Sequence, residues 1–282
     1  MHLFKVLLRK NLALLFVISF LSLSIGAQEK LKGNKIVSFQ DREVTYFNKI
    51  IVKDDLKVML SSGSAVEVSV ETDENLQNAI TTRVSGGVLE VYINQKIASS
   101  KKLLVYVKVA DTLLTVETRD KAKIVVESEI NVSELNIMAF DKSSQEIICH
   151  ANTANIIADG SSDLNLVLNV DSFTNVTADQ NSTVKLNLKT NLLNCTLNNS
   201  GLVKPVGNCK TIQVEAHDNG NFSGKDLLAD TISMIALDRS DVAVNAAVKL
   251  EVTAENDAEV YIYDNPEIII KKFSDKAVLF KK

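Results

Sequence analysis

Between about Leu113 and Phe280 the chain repeats one short pattern of positions about nine times. Each copy reads apolar, polar, apolar, polar, small, then Asp, Asn, Gly or Ser, then an apolar residue that opens the next strand. Clear copies are Leu135-Asn136-Ile137-Met138-Ala139-Phe140-Asp141, Ile212-Gln213-Val214-Glu215-Ala216-His217-Asp218 and Leu250-Glu251-Val252-Thr253-Ala254-Glu255-Asn256. Aligned on the small position, the marks are Thr118, Ala139, Ala158, Ala178, Leu197, Ala216, Ala236, Ala254 and Lys272. They lie about 18 to 21 residues apart, and a fixed period of that length is the mark of a solenoid.

Strict alternation places Leu135, Ile137 and Ala139 on one face of a strand and the residues between them on the other. One such strand cannot bury its apolar face alone. Stacked copies can, with like residues above like. The inward column then reads Val116, Ile137, Ile156, Val176, Cys195, Val214, Met234, Val252 and Ile270. About 19 residues are too few for a strand, a helix and two turns, but enough for short strands joined by tight turns. The expected fold is all-β, a right-handed parallel β-helix, the hand following from the strong preference of parallel crossovers.

Upstream, residues 36–110 read as a strand-rich N-terminal part of the same solenoid body. Val66 to Val70 alternates, Asp73 to Ile80 could form a helical turn, and Gly86-Gly87 marks a tight turn. Residues 111–282 carry the regular repeats and a C-terminal cap. In that cap Ile268-Ile269-Ile270 loses alternation, and lysines at 271, 272, 276, 281 and 282 blunt edge pairing. Residues 28–35 read as a loose polar lead-in. Residues 1–27 have the basic start, apolar centre and small-residue exit of a signal peptide. The expected location is therefore the periplasm, the cell surface or the medium, with no transmembrane segment in the mature chain.

Composition narrows the picture. With 46% hydrophobic residues but 5% aromatic and no Trp, the interior must be filled by stacked aliphatic side chains. Loss of residues 1–27 removes three basic and no acidic residues, so the formal charge moves from −4 to −7. An acidic surface argues against nucleic acid as a partner. Three cysteines, Cys149, Cys195 and Cys209, cannot form a complete disulfide set. Cys195 occupies an inward position, and a Cys195–Cys209 bridge between adjacent repeats stays open.

Two sets of residues are candidates for chemistry. Asn136, Asn155, Asn175, Asn194 and Gln213 share one outward register, where stacked amides can donate and accept along a ladder and offer a binding wall. The turn acids Asp159, Asp179, Asp218 and Asp238 recur in neighbouring copies. Stacked carboxylates could hold a hard cation such as Ca²⁺, but Asp is also a good turn former, so no cofactor is expected. A polysaccharide lyase or hydrolase would use acids such as Asp159, Asp179 and Asp218. Such a site usually adds basic groups and aromatic platforms. Outside the leader the chain has only Arg42, Arg83, Arg119 and Arg239 with His150 and His217, so the preferred reading is non-enzymatic.

The opening Phe47-Asn48-Lys49-Ile50, the strand pair from Leu56 to Val70, Thr72-Asp73-Glu74-Asn75-Leu76 and Gly87-Val88-Leu89-Glu90-Val91 lead into the apolar-polar-Ala ladder. In these features the chain resembles a family of exported bacterial proteins, the auto-transporter adhesins with a head GIN domain. The likeness spans about Phe39 to Phe280. It implies a β-helix-like fold and export to the envelope, and it carries no catalytic signature; the outward faces rich in Asn, Ser, Thr and Asp in turn suit an adhesive or scaffold surface for a glycan or protein partner. At 179–182 and 238–241 this chain has polar turns where the family usually has more Gly.

Overall fold

The computed structural model describes residues 30–282, so the signal peptide expected at 1–27 lies outside the described residues. About 68% of the chain is strand and almost none is helix, wound as a solenoid of about nine turns with rungs of roughly 19 residues. In the regular part each rung is one long strand followed by a tight turn. Asp163–Ala178, Thr183–Leu197 and Leu202–Ala216 are successive examples, and each pairs in parallel with the next. Register slips partway along some strands, for example between Asn169 and Phe173, and the stack divides there into two columns.

The expected spine is present residue by residue. Val116 pairs with Ile137, Ile137 with Ile156, Ile156 with Val176, Val176 with Cys195, Cys195 with Val214, Val214 with Met234 and Met234 with Val252. All of these side chains are buried. The three thiols are free and buried, so no bridge joins Cys195 to Cys209. Burial pushes the Cys149 thiol up to about 12 and raises that of Cys195 further still, as expected of groups that pack and do not react.

The turns explain the Asp, Asn and Ser that follow each small mark. In each, the fourth residue donates to the carbonyl of the first, as from Ala122 to Arg119, Ser143 to Phe140 and Ser240 to Leu237. The second residue has positive φ, from Asp120 and Asp141 through Gln180, Asn199, Asp218 and Asp238 to Asn256. Asp and Asn tolerate that conformation better than other side chains. The fourth residue is small and buried because it packs into the corner against the preceding rung. A Cβ on Gly201 would lie 2.3 Å from the carbonyl oxygen of Ala178, and one on Gly220 would lie 2.9 Å from Cβ of Leu197. Leu197, the one large residue at an otherwise small mark of the regular stack, therefore faces a position that admits no side chain.

The N-terminal part is arranged less simply than its sequence suggests. Lys49–Val52 and Lys57–Ser62 form a rung that Thr115–Thr118 and Lys123–Val126 cover on one side. Val88–Ile93 and Leu103–Val109 cover it on the other, so the first rungs are not stacked in chain order. Three antiparallel strands then close this end. Glu67–Asp73 lies on Leu103–Val109, Val37–Arg42 on Glu67–Asp73, and Ile80–Ser85 on Val88–Ile93 through a Gly86-Gly87 turn with both φ positive. A 3-10 helix, Glu74–Ala79, occupies the expected helical stretch and buries Leu76 completely.

Three expectations need correction. The lead-in is not loose where it is described. Leu31–Lys32 pairs with Ile97–Ser99, and the Lys35 amide donates to the buried Asp73 carboxylate. Ile270 stays in register with Val252, but it is 56% exposed because no described residue stacks over the last rung. A bulge after Ile270 puts Phe273, not Lys272, beside Ala254. Among the described residues this end shows a cross-section of the core, with Lys271, Lys272 and Lys276 on its rim.

Candidate functional site

The amide ladder forms over four of its five members. Nδ2 of Asn155 donates to Asn136 at 3.0 Å, Asn175 to Asn155 at 2.8 Å and Asn194 to Asn175 at 2.8 Å. Asn136 closes the row by donating to the Leu114 carbonyl at 3.1 Å. Gln213 shares the register of Asn194 but lies exposed, with no such bond. The four asparagines are half-buried and largely spend their polar groups on one another, so the ladder acts first as a clamp between rungs.

The turn acids do not gather. Asp159 and Asp179 sit immediately after the small mark, whereas Asp218 and Asp238 occupy the positive-φ position one place later. Their oxygens are met by neutral amides. Asp159 accepts from Gly160 and from the Gln180 side chain at 2.7 Å, Asp179 from the Gln180 amide at 2.6 Å and from Asn199. Asp238 accepts from the backbone of Asp218 and from Asn256 at 3.0 Å. The amide of a positive-φ residue is received either by the preceding Asp, as at Gly160 and Gln180, or by the Asp one rung on, as from Asn199 to Asp218 and from Asp218 to Asp238. The same pattern links Asp54 to Asp120 and Asp120 to Asp141, each at 3.1 Å. Among the described residues no three His, Cys, Asp or Glu side chains cluster as metal ligands would.

The most buried acid of the wall, Glu117, is held by Lys49 at 2.7 Å and Arg119 at 2.6 Å, with Arg119 also lying over the Phe140 ring. Burial raises its carboxyl, and the two cations more than offset that and keep it below its usual range. It is a satisfied ion cluster. His150 faces Asp171 at 3.2 Å on the exposed wall.

One group of side chains that the sequence reading missed does converge. Asp241 and Glu259 are paired neighbours on adjacent rungs, and Asp241 lies on the wall of a groove of about 320 Å³ lined also by Asn221, Lys225, Tyr261 and Tyr263. Burial raises the Asp241 carboxyl, repulsion from Glu259 raises it further, and Asn221 offsets part of this. The Tyr261 hydroxyl donates to Glu259 and is pushed up to about 12, while its ring stacks on Phe280 with centroids 4.9 Å apart. A signal for this pairing was present: Asp241 and Glu259 each fall five places after a small mark, Ala236 and Ala254. The groove combines aromatic faces with carboxylate and amide groups, the mixture that recognises hydroxyl-rich ligands.

Fold and surface together define a β-solenoid built to present polar walls, with its buried polar groups used to hold rungs in register. The chain belongs to the family described as "Putative auto-transporter adhesin, head GIN domain", whose pattern matches residues 46–174 and 167–266. Solved structures of similar fold include a "putative lipid binding protein" from Parabacteroides distasonis, 15% identical with a TM-score of 0.65 over 90% of this chain and 100% of that one. A "putative adhesin" from Parabacteroides merdae is 17% identical with a TM-score of 0.63, covering 90% and 99%. Another "putative adhesin" from P. distasonis is 15% identical with a TM-score of 0.64, covering 90% and 100%. At these identities the likeness speaks for the fold. No curated protein matches the chain.

Proposed function

We propose that this is an exported, non-enzymatic envelope protein whose rigid β-solenoid wall works as an adhesion surface, with a glycan as ligand. Family membership supports the adhesive role, and the predicted signal peptide supports export. The observation that carries the ligand class is the groove at Asp241, Tyr261 and Tyr263, where rings for stacking lie beside acceptors for hydroxyl groups. The acids that a lyase or hydrolase would use, Asp159, Asp179 and Asp218, are spread over separate turns and engaged by amides, which favours binding over hydrolysis. A glycan array on the mature protein tests this, repeated with Tyr263→Ala and Asp241→Asn. Selective binding that both variants weaken by about tenfold is expected, one good contact of the stacking or charged hydrogen-bond kind being worth roughly that. Product release from a bound glycan, or binding untouched by either variant, would overturn the reading.

A further inference from the structure

Among the described residues the last rung, Glu267–Phe273 with Val278–Lys281, pairs only with the rung beneath it. Its inward positions continue the buried columns. Ile268 lies on Leu250, Ile270 on Val252, Phe273 on Ala254 and Leu279 on Val260. Leu250, Val252, Ala254 and Val260 are fully buried, whereas Ile268, Ile270 and Phe273 are 40%, 56% and 40% exposed. The outer face of this last described rung is therefore apolar core cut across. Its outer edge also carries main-chain N–H and C=O groups that face away from the preceding rung and have no partner among the described residues.

Lysines ring this edge. Lys271, Lys272, Lys276, Lys281 and Lys282 stand against Asp264, Glu267 and Asp275, giving a positive end to an acidic chain. Lys271, Lys272 and Lys276 reach back to Glu251, Glu255 and Asp257, but each ammonium has three donors and all three side chains are exposed. A second copy of the same end would bring like charges together. The opposite end is closed by antiparallel strands, which opposes head-to-tail stacking. A lipid surface would match charge and apolar character but leave the edge amides unpaired, a costly arrangement in hydrocarbon.

We propose that this open end accepts an extended segment of a partner protein by strand addition, and that the segment alternates apolar and acidic side chains. Its backbone continues the parallel ladder, its apolar residues cover Ile268, Ile270 and Phe273, and its carboxylates meet the lysines. This goes beyond the glycan reading and depends on a different face.

The test uses a soluble acetylated octapeptide of alternating Glu and Ile, measured by fluorescence polarisation against the mature protein. Controls are the Lys-for-Glu peptide, the Glu peptide with a central Pro, vesicles of phosphatidylglycerol and phosphatidylcholine, and sedimentation of the protein alone. Saturable binding of the Glu peptide is expected, about tenfold weaker for the Lys and Pro versions, since one loses charge complementarity and the other a ladder hydrogen bond. Ile270→Asp, at an exposed position, should abolish it while the thermal melt stays unchanged. Equal binding of the Glu and Lys peptides, no peptide binding, or binding that survives Ile270→Asp would each overturn the proposal. Vesicle binding without peptide binding would assign the end to lipid, and self-association lost in Ile270→Asp would assign it to a second copy.

Discussion

The two ends of this solenoid meet the same difficulty in opposite ways. At the N-terminal end the chain reverses and lays antiparallel strands over the first rungs, and the 3-10 helix drives Leu76 into the core. At the C-terminal end no described residue covers the last rung, leaving Ile270 and Phe273 part-exposed. A repeat protein gains its stability from neighbour contacts, so a terminal rung with one neighbour is held by half as many. The difference teaches that closure depends on the path of the chain and not on hydrophobicity, since both ends carry large aliphatic residues.

Truncating one such residue at each end gives the largest contrast. Leu76→Ala should cost about 2 to 5 kcal/mol, the usual range for emptying a buried leucine site. Ile270→Ala should cost under about 1 kcal/mol, because its side chain is already half in water. Urea unfolding of both variants checks this. Equal losses would mean that the C-terminal end is covered in solution.

How much of this could be read from the chain follows from where the information lies. The stack was legible because alternation and the small mark are local and repeat at constant spacing, so Val176, Cys195 and Val214 could be laid over one another in advance. The rung order near Lys49 was not, because Val88–Ile93 reaches its place through a reversal that only three-dimensional packing decides. At the last rung the lysines pointed to an edge strand, but the loss of alternation there hid that Ile270 and Phe273 stand part-exposed beside them. The asparagine ladder was legible as a register. The Asp241–Glu259 pair was equally accessible by counting from the small mark, and was missed because two acids meet at that register once, whereas the asparagines recur over successive rungs. What the amides and turn acids do with their hydrogen bonds needed coordinates.

A rung with neighbours on both sides sharpens the comparison from the middle. Gly201→Ala places a methyl against the Ala178 carbonyl, and overpacking of this kind costs about 1 to 3 kcal/mol. Leu197→Ala should relieve the neighbouring Gly220→Ala, whose added carbon meets Leu197 directly. A double-mutant cycle measured by urea unfolding should therefore be non-additive, and additivity would show that the two rungs adjust independently.

Acid should loosen the closed end. Asp73 is inaccessible to solvent and accepts backbone bonds from Lys35 and Lys101. Burial raises its carboxyl, but the bonds from Lys101, Lys35 and Lys102 together outweigh that and hold it below the usual carboxylate value. A depressed folded pKa means the stabilisation is complete above the unfolded value of about 4 and is lost as pH falls through the folded one. Hydrogen exchange at the amides of Lys35 and Lys101, corrected for its intrinsic pH dependence, should therefore lose protection below about pH 4 in wild type. Asp73→Asn should have lost part of that protection already at neutral pH. A pH-independent protection factor in wild type would remove Asp73 from this role.

The smallest effect is expected from the lysines of the open end. Lys272 approaches Glu255, yet Lys272 is 59% exposed, and exposed ion pairs contribute about 0 to 1 kcal/mol. Lys272→Glu should therefore leave the urea midpoint nearly unchanged, moving it less than Leu76→Ala or Gly201→Ala. The value of this variant lies in what else it changes. If the lysines serve to hold the last rung on the stack, salt should weaken the wild-type fold and the charge reversal should fray Glu267–Phe273, visible as faster exchange of its amides. If they serve to select an acidic strand, stability and exchange stay as in wild type while binding of the Glu-Ile peptide falls. The geometry favours the second outcome, because the parallel ladder to Lys249–Ala254 already holds the rung through its backbone, and the ammonium groups lie on the rim beside a core that nothing described covers.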